Sequence, residues 1–152
     1  MDITEFLTAR YDEEAGKATY AAELGGATWH HHEAPDHQMH WESGTAIGIL
    51  ATLDLHGFGQ HIAAHDPARV LDDIAAKRKR LALYIETEQK VAQALQDAPW
   101  KDDPAFAHSY TRERININEL SGRYAAYRMS LRLDAAPYAE HPDFDPAWRI
   151  DG

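Results

Sequence analysis

The sequence predicts an α+β fold: an N-terminal helix, a small antiparallel sheet, a long antiparallel helical hairpin and an extended C-terminal strap, forming a single domain over residues 1–152. Three observations predict it. Apolar residues recur at helical spacing over residues 3–22, 71–95 and 106–131. Between the first two of these runs lies a stretch rich in Trp, His and Ile, punctuated by turn residues. Three prolines interleaved with aromatic residues close the chain. A chain of 152 residues buries one substantial core, whereas two independent domains would each be marginal.

The first helix is expected over residues 1–24. Asp2 with Glu5 three residues on is a capping-box pair, and Ile3, Phe6, Leu7, Tyr11, Ala15, Ala18 and Ala22 keep one face apolar until Gly25-Gly26. The sheet is expected over residues 27–57. Ala27 to Glu33 and Gln38 to Trp41 would form a hairpin around Ala34-Pro35-Asp36, and Thr45 to Leu53, the most apolar run, a third and buried strand.

The helical part is expected over residues 58–134. His61 and His65 sit on a short helical turn, and the residue before Pro67 is disfavoured in helical geometry, so the chain bends at Asp66. Asp66 then caps a long helix with Pro67 as its first residue, ending near Asp97. Asp103-Pro104 repeats the start signal for a second helix carrying Tyr110, Tyr124, Tyr127 and Leu131. Residues 135–152 form the strap, held down by Tyr138, Phe144 and Trp148.

Composition narrows the function classes. Acids outnumber bases for a formal charge of −10, which disfavours nucleic acid and anionic membrane surfaces as partners. Residues 1–65 hold ten acids against Arg10 and Lys17, together with eight of the ten histidines. No stretch approaches the roughly 18 apolar residues of a membrane span, and the acidic N-terminus is unlike a secretory signal, so a cytoplasmic location is expected. The absence of cysteine removes disulfides, thiolate metal sites and cysteine nucleophiles.

Three blocks carry a resemblance: Phe6-Leu7-x-Ala9-Arg10-x-Asp12-Glu13, His61-Ile62-Ala63-Ala64-His65-Asp66-Pro67-Ala68-Arg69-Val70-Leu71, and Pro137-Tyr138-Ala139-Glu140-His141-Pro142-Asp143-Phe144 with Trp148. Together they resemble an uncharacterised family of small proteins encoded by Streptomyces-type actinobacteria and their phages. The resemblance implies source and general shape, and no catalytic residues. Many members of that family have a cysteine-containing stretch between the central and C-terminal blocks, which this chain lacks.

Two kinds of site are candidates. On a helix, His61 and His65 share one face, the spacing of a two-histidine metal half-site. Asp66, His30 and His32 would supply further ligands to a divalent metal such as zinc. The alternative is that these histidines pack at a helix corner. Arg69, a cation in the first turn of a helix, needs a partner: Asp66, Asp72, Asp73 or an anionic ligand. Arg69 and His61 with Tyr124 and Tyr127 would bind a small anionic ligand such as a nucleotide, although a tyrosine stripe also suits a core. The basic run Lys77 to Arg80 spreads around all faces of a helix and is weak evidence for nucleic acid. The functional expectation is a non-enzymatic accessory protein binding a host protein or a small anionic ligand, with a homodimer possible. The competing reading is a metal-dependent hydrolase centred on His61 and His65.

Overall fold

The computed structural model describes residues 1–31, 38–43, 46–52, 62, 64–98 and 111–150, with side chains described for 1–29, 62, 64–98 and 112–150. The chain forms α1 (Ile3–Gly25), β1 (Thr28–His31), β2 (Gln38–Ser43), β3 (Ala46–Thr52), α2 (Pro67–Gln96) and α3 (Thr111–Ala135). Two 3₁₀ turns follow, Ala136–Tyr138 and Pro146–Trp148. It divides into two compact units, one of Met1–Thr8 with Lys77–Gly152 and the other of Ala9–Ala76.

The α+β expectation is corrected: the protein is mainly helical. α1, α2 and α3 contribute 23, 30 and 25 residues, against strands of 4, 6 and 7. The strands pair antiparallel in the order β1-β2-β3, with a register shift between Met39 and His40. Among the described residues their close backbone neighbours are chiefly one another, so they form a short ladder inserted between helices and not a layer that sets the class. Length explains the outcome, because strands this short present little surface against which 25- to 30-residue helices could pack. The described core is built from helix residues instead: Phe6, Leu7, Tyr11, Ile74, Leu81, Tyr84 and Leu131 are all buried.

In the unit of Ala9–Ala76, α1 ends at Gly25 and Gly26 turns the chain with φ 81, a left-handed value that suits glycine. The Gly26 carbonyl accepts from Trp29 Nε1 at 3.0 Å. Asp66 links the start of β1 to the start of α2. Its Oδ1 accepts the Arg69 N–H at 2.8 Å as the N-cap bond, and its Oδ2 accepts the Trp29 N–H at 3.4 Å. The Ala68 N–H donates to the Ala27 carbonyl at 2.9 Å beside it.

In the other unit, Asp2 Oδ1 accepts the Thr4 and Glu5 amides at 2.8 and 2.9 Å while Glu5 accepts the Asp2 N–H at 2.8 Å, completing the capping box that the spacing predicts. Bonds to the Thr4 hydroxyl and the Glu5 amide hold the Asp2 carboxyl below the usual carboxylate range. α2 and α3 run antiparallel here. Arg80 and Asp134 form a forked ion pair at 2.9 to 3.2 Å, and further along α2 Tyr84 and Glu88 meet Tyr124. The start expected for the second hairpin helix at Asp103-Pro104 lies outside the described residues.

The C-terminal segment is also a correction. It is not extended: successive bonds from His141 N–H to the Tyr138 carbonyl, from Phe144 N–H to His141 and from Trp148 N–H to Asp145, each 2.9 Å, wind it into tight turns. Proline fixes φ near −65°, a value that 3₁₀ and extended backbone share, and the local bonds decide between them. The predicted aromatic anchors do hold it: the Phe6 ring lies 6.0 Å from Tyr138, 6.1 Å from Phe144 and 5.0 Å from Trp148.

Candidate functional site

The candidate site forms where the α2–α3 pair meets the start of α1 and the last 3₁₀ turn. Tyr84 on α2 and Tyr124 on α3 stack with ring centroids 5.2 Å apart at 23°. Glu88, one turn after Tyr84, accepts from both hydroxyls, at 3.2 and 3.1 Å, and the two hydroxyl oxygens are 3.2 Å apart. Burial is the main reason the Tyr84 phenol lies well above its ordinary range, and the Tyr124 hydroxyl and the Glu88 charge raise it further. The Tyr84 phenol is therefore a neutral hydrogen-bonding group at physiological pH.

Beside the tyrosines lies a cleft of about 390 Å³, lined by Tyr84, Tyr124, Arg128, Arg132 and Trp148, with Met1, Asp2, Ile3, Asp145 and Ala147. Its volume lies within the roughly 300–1,000 Å³ of small-molecule sites. Three of these residues recur every fourth position on α3, which places Tyr124, Arg128 and Arg132 on one helix face. The two arginines differ. Arg132 Nε donates to the Trp148 carbonyl at 3.1 Å and its terminal nitrogen to the Arg149 carbonyl, so this guanidinium fixes the C-terminal turn. Arg128 is exposed and has no ion-pair partner among the described residues. The acids of the lining are partly engaged, Asp2 by its cap bonds and Asp145 by accepting the Ala147 N–H at 2.9 Å. The arrangement sets Arg128, a guanidinium without an ion-pair partner among the described residues, beside aromatic surface, the chemistry that takes an anionic group and a planar ring.

The residues singled out from sequence are distributed differently. Tyr124 is at the cleft, and Tyr127 is half-buried on α3 without lining it. Arg69 belongs to the other unit, where Glu14, His65, Val70 and Asp73 share a depression of about 340 Å³ with it. Two carboxylates there disfavour an anionic guest. The expected ion pair from Arg69 to a neighbouring aspartate is absent among the described residues; Asp66 takes the Arg69 backbone amide instead. His65 is exposed in the turn before α2, and Asp66 is buried with both oxygens bonded to backbone. His30 lies on β1 opposite His40, with its side chain outside the described residues, as are His32 and His61 altogether. Among the described residues no three His, Asp or Glu side chains are grouped as a metal site would require.

Tyr84, Arg128 and Arg132 were not singled out, and Trp148 was named only as an anchor of the C-terminal segment. The signal was present in the Tyr124, Arg128, Arg132 spacing, but it appears only when α3 is read for its polar face.

A model of a family described as a family of unknown function (DUF6221) matches residues 1–150. The chain belongs to DUF6221. This agrees with the expectation that the chain belongs to an uncharacterised family. No curated protein and no solved structure matches this DUF6221 member. Among its described residues no helix is long and apolar enough to cross a membrane.

Proposed function

We propose that this DUF6221 member acts by binding, and that it captures a small anionic ligand with a planar ring, such as a nucleotide, in the cleft beside Tyr84 and Tyr124. The observation that supports this reading is Arg128, an exposed guanidinium without an ion-pair partner among the described residues, one helical turn from Tyr124 in a cleft of about 390 Å³. The guanidinium supplies a forked donor for phosphate or carboxylate. The tyrosines supply aromatic surface for a ring. Arg132, bonded to two main-chain carbonyls, keeps the C-terminal turn in place as one wall.

Calorimetric titration of nucleoside mono- and diphosphates tests the proposal. Binding is expected, and Arg128→Ala should weaken it by about tenfold to a hundredfold, the loss of a charge-assisted hydrogen bond of roughly 1.5–3 kcal/mol. Arg69→Ala should leave it unchanged. Absence of binding with all these probes, or binding indifferent to Arg128→Ala, overturns the reading.

A further inference from the structure

We propose that a second site, between α1 and the start of α2, binds a free α-amino acid with an apolar side chain. In the unit of Ala9–Ala76 two depressions lie side by side, since Glu14, His65 and Val70 line both. One, of about 290 Å³, is mostly apolar: Ala18 and Ala21 of α1, Trp29, Pro67 and Val70 surround it. The other, of about 340 Å³, is polar and carries Arg69 and Asp73 of α2 beside Glu14 of α1.

The apolar depression follows from small side chains at helical spacing. Glu14, Lys17, Ala18 and Ala21 recur at three- and four-residue intervals, so they share one face of α1. The two alanines leave a hollow that larger side chains would fill. Trp29 forms one wall and is fixed at two points: its indole N–H donates to the Gly26 carbonyl at 3.0 Å and its backbone N–H to Asp66 at 3.4 Å. The hollow is thus formed before a guest arrives, which lowers the ordering cost of binding. At about 290 Å³ it falls at the bottom of the roughly 300–1,000 Å³ of small-molecule sites, room for one aliphatic or aromatic side chain.

The charges select the head group. Arg69 is exposed and has no ion-pair partner among the described residues, although Asp73 follows it by four residues. A cation before an anion runs against the helix macrodipole, which weakens such a pair. Glu14 and Asp73 have interactions of their own, and a carboxylate offers about four acceptor positions, so each has capacity for a further donor. Lys17, the cation on this face of α1, is engaged by Glu13 at 2.7 Å. The polar depression therefore presents one guanidinium and two carboxylates to a guest. A simple anion meets the carboxylates, and a simple cation meets Arg69. A zwitterion answers both signs, with its carboxylate on the forked guanidinium and its ammonium on Glu14 or Asp73. An α-amino acid carries these two groups on one carbon, from which its side chain enters the adjoining apolar hollow.

Calorimetric titration of the full chain with L-leucine and L-phenylalanine, to about 10 mM, should show binding at one site. Glycine, which lacks the side chain, should bind at least about tenfold more weakly. Leucinamide lacks the carboxylate and N-acetylleucine the ammonium, so each loses a charge-assisted contact and should also bind about tenfold more weakly than leucine. Arg69→Ala, an exposed substitution, should weaken leucine by a similar factor and leave leucinamide unchanged. Ala21→Leu should fill the hollow and abolish leucine binding, with an unchanged circular dichroism spectrum showing that the helices persist. Arg128→Ala should leave leucine binding as it is, which separates this site from the cleft beside Tyr84. No binding of either amino acid overturns the proposal, as does leucine binding that survives Arg69→Ala or Ala21→Leu intact. Leucinamide matching leucine would point to a peptide N-terminus as the guest, and N-acetylleucine matching it to a peptide C-terminus; either result overturns the free amino acid.

Discussion

Asp66 holds two segments with one carboxylate, and its two oxygens do separate jobs. Oδ1 caps α2 through the Arg69 amide and Oδ2 takes the Trp29 amide at the start of β1. Asp66→Ala should therefore lose more than a cap. A lost N-cap costs about 1 kcal/mol and an amide left without its partner costs about as much again, so a stability loss of about 2 kcal/mol is expected. Asp66→Asn keeps an oxygen for the cap and should lose less than half of that. The urea midpoint at unchanged slope measures both, and an Asp66→Ala midpoint equal to wild type would show that neither bond matters. Tyr84 gives a second prediction at this scale. Its folded-state pKa is raised, so the folded protein retains the phenol proton where the unfolded chain has lost it. The contribution is fully present below pH 10, the ordinary phenol value, and is lost as pH rises through the higher folded value. Stability should fall above pH 10, with the last tyrosinate absorbance emerging only on unfolding, and Tyr84→Phe should flatten that decline.

Among elements, the C-terminal segment depends most on a single side chain. The Phe6 ring meets Tyr138, His141, Phe144 and Trp148, with centroids between 5.0 and 6.1 Å. Phe6→Ala should cost about 3–5 kcal/mol, the range for emptying a buried phenylalanine site. The loss should appear as a red shift of Trp148 emission and as protease cleavage within residues 136–150. A resistant segment would mean that the Arg132 bonds to the Trp148 and Arg149 carbonyls suffice without the ring. This element also shows what a sequence makes legible. The anchors Tyr138, Phe144 and Trp148 could be read because aromatic residues between prolines need burial. The 3₁₀ turns could not, because three prolines fit extended and tight-turn backbone equally well. The caps at Asp2 and Asp66 were readable because capping is local in sequence. The fold class was misjudged because a Trp-, His- and Ile-rich stretch signals strands without saying whether helices pack on them. Arg128 was missed because α3 was read for its apolar face and not for its polar one.

At the scale of the whole molecule, charge opposes folding more than ion pairs assist it. Acids exceed bases by ten, and two unit charges about 20 Å apart repel by about 0.2 kcal/mol in water. Ten uncompensated charges interact in some 45 pairs, so the unscreened repulsion is on the order of 9 kcal/mol, part of which persists in the unfolded chain. Against it stand the exposed pairs Lys17–Glu13 and Lys90–Glu86 at 2.7 and 2.6 Å, each contributing at most about 1 kcal/mol. Salt weakens both effects, and the larger one decides the sign. The thermal midpoint at pH 7 should therefore rise as NaCl increases from about 10 mM to 150 mM, where the screening length shortens from about 30 Å to about 8 Å. The Arg80–Asp134 pair is less exposed on its aspartate side and should resist this screening. Ten histidines give an internal check, since partial protonation near pH 6 reduces the net negative charge. The same salt series at pH 6 should then raise the midpoint by less than it does at pH 7. A midpoint that falls with salt at pH 7 would mean that the ion pairs outweigh the repulsion.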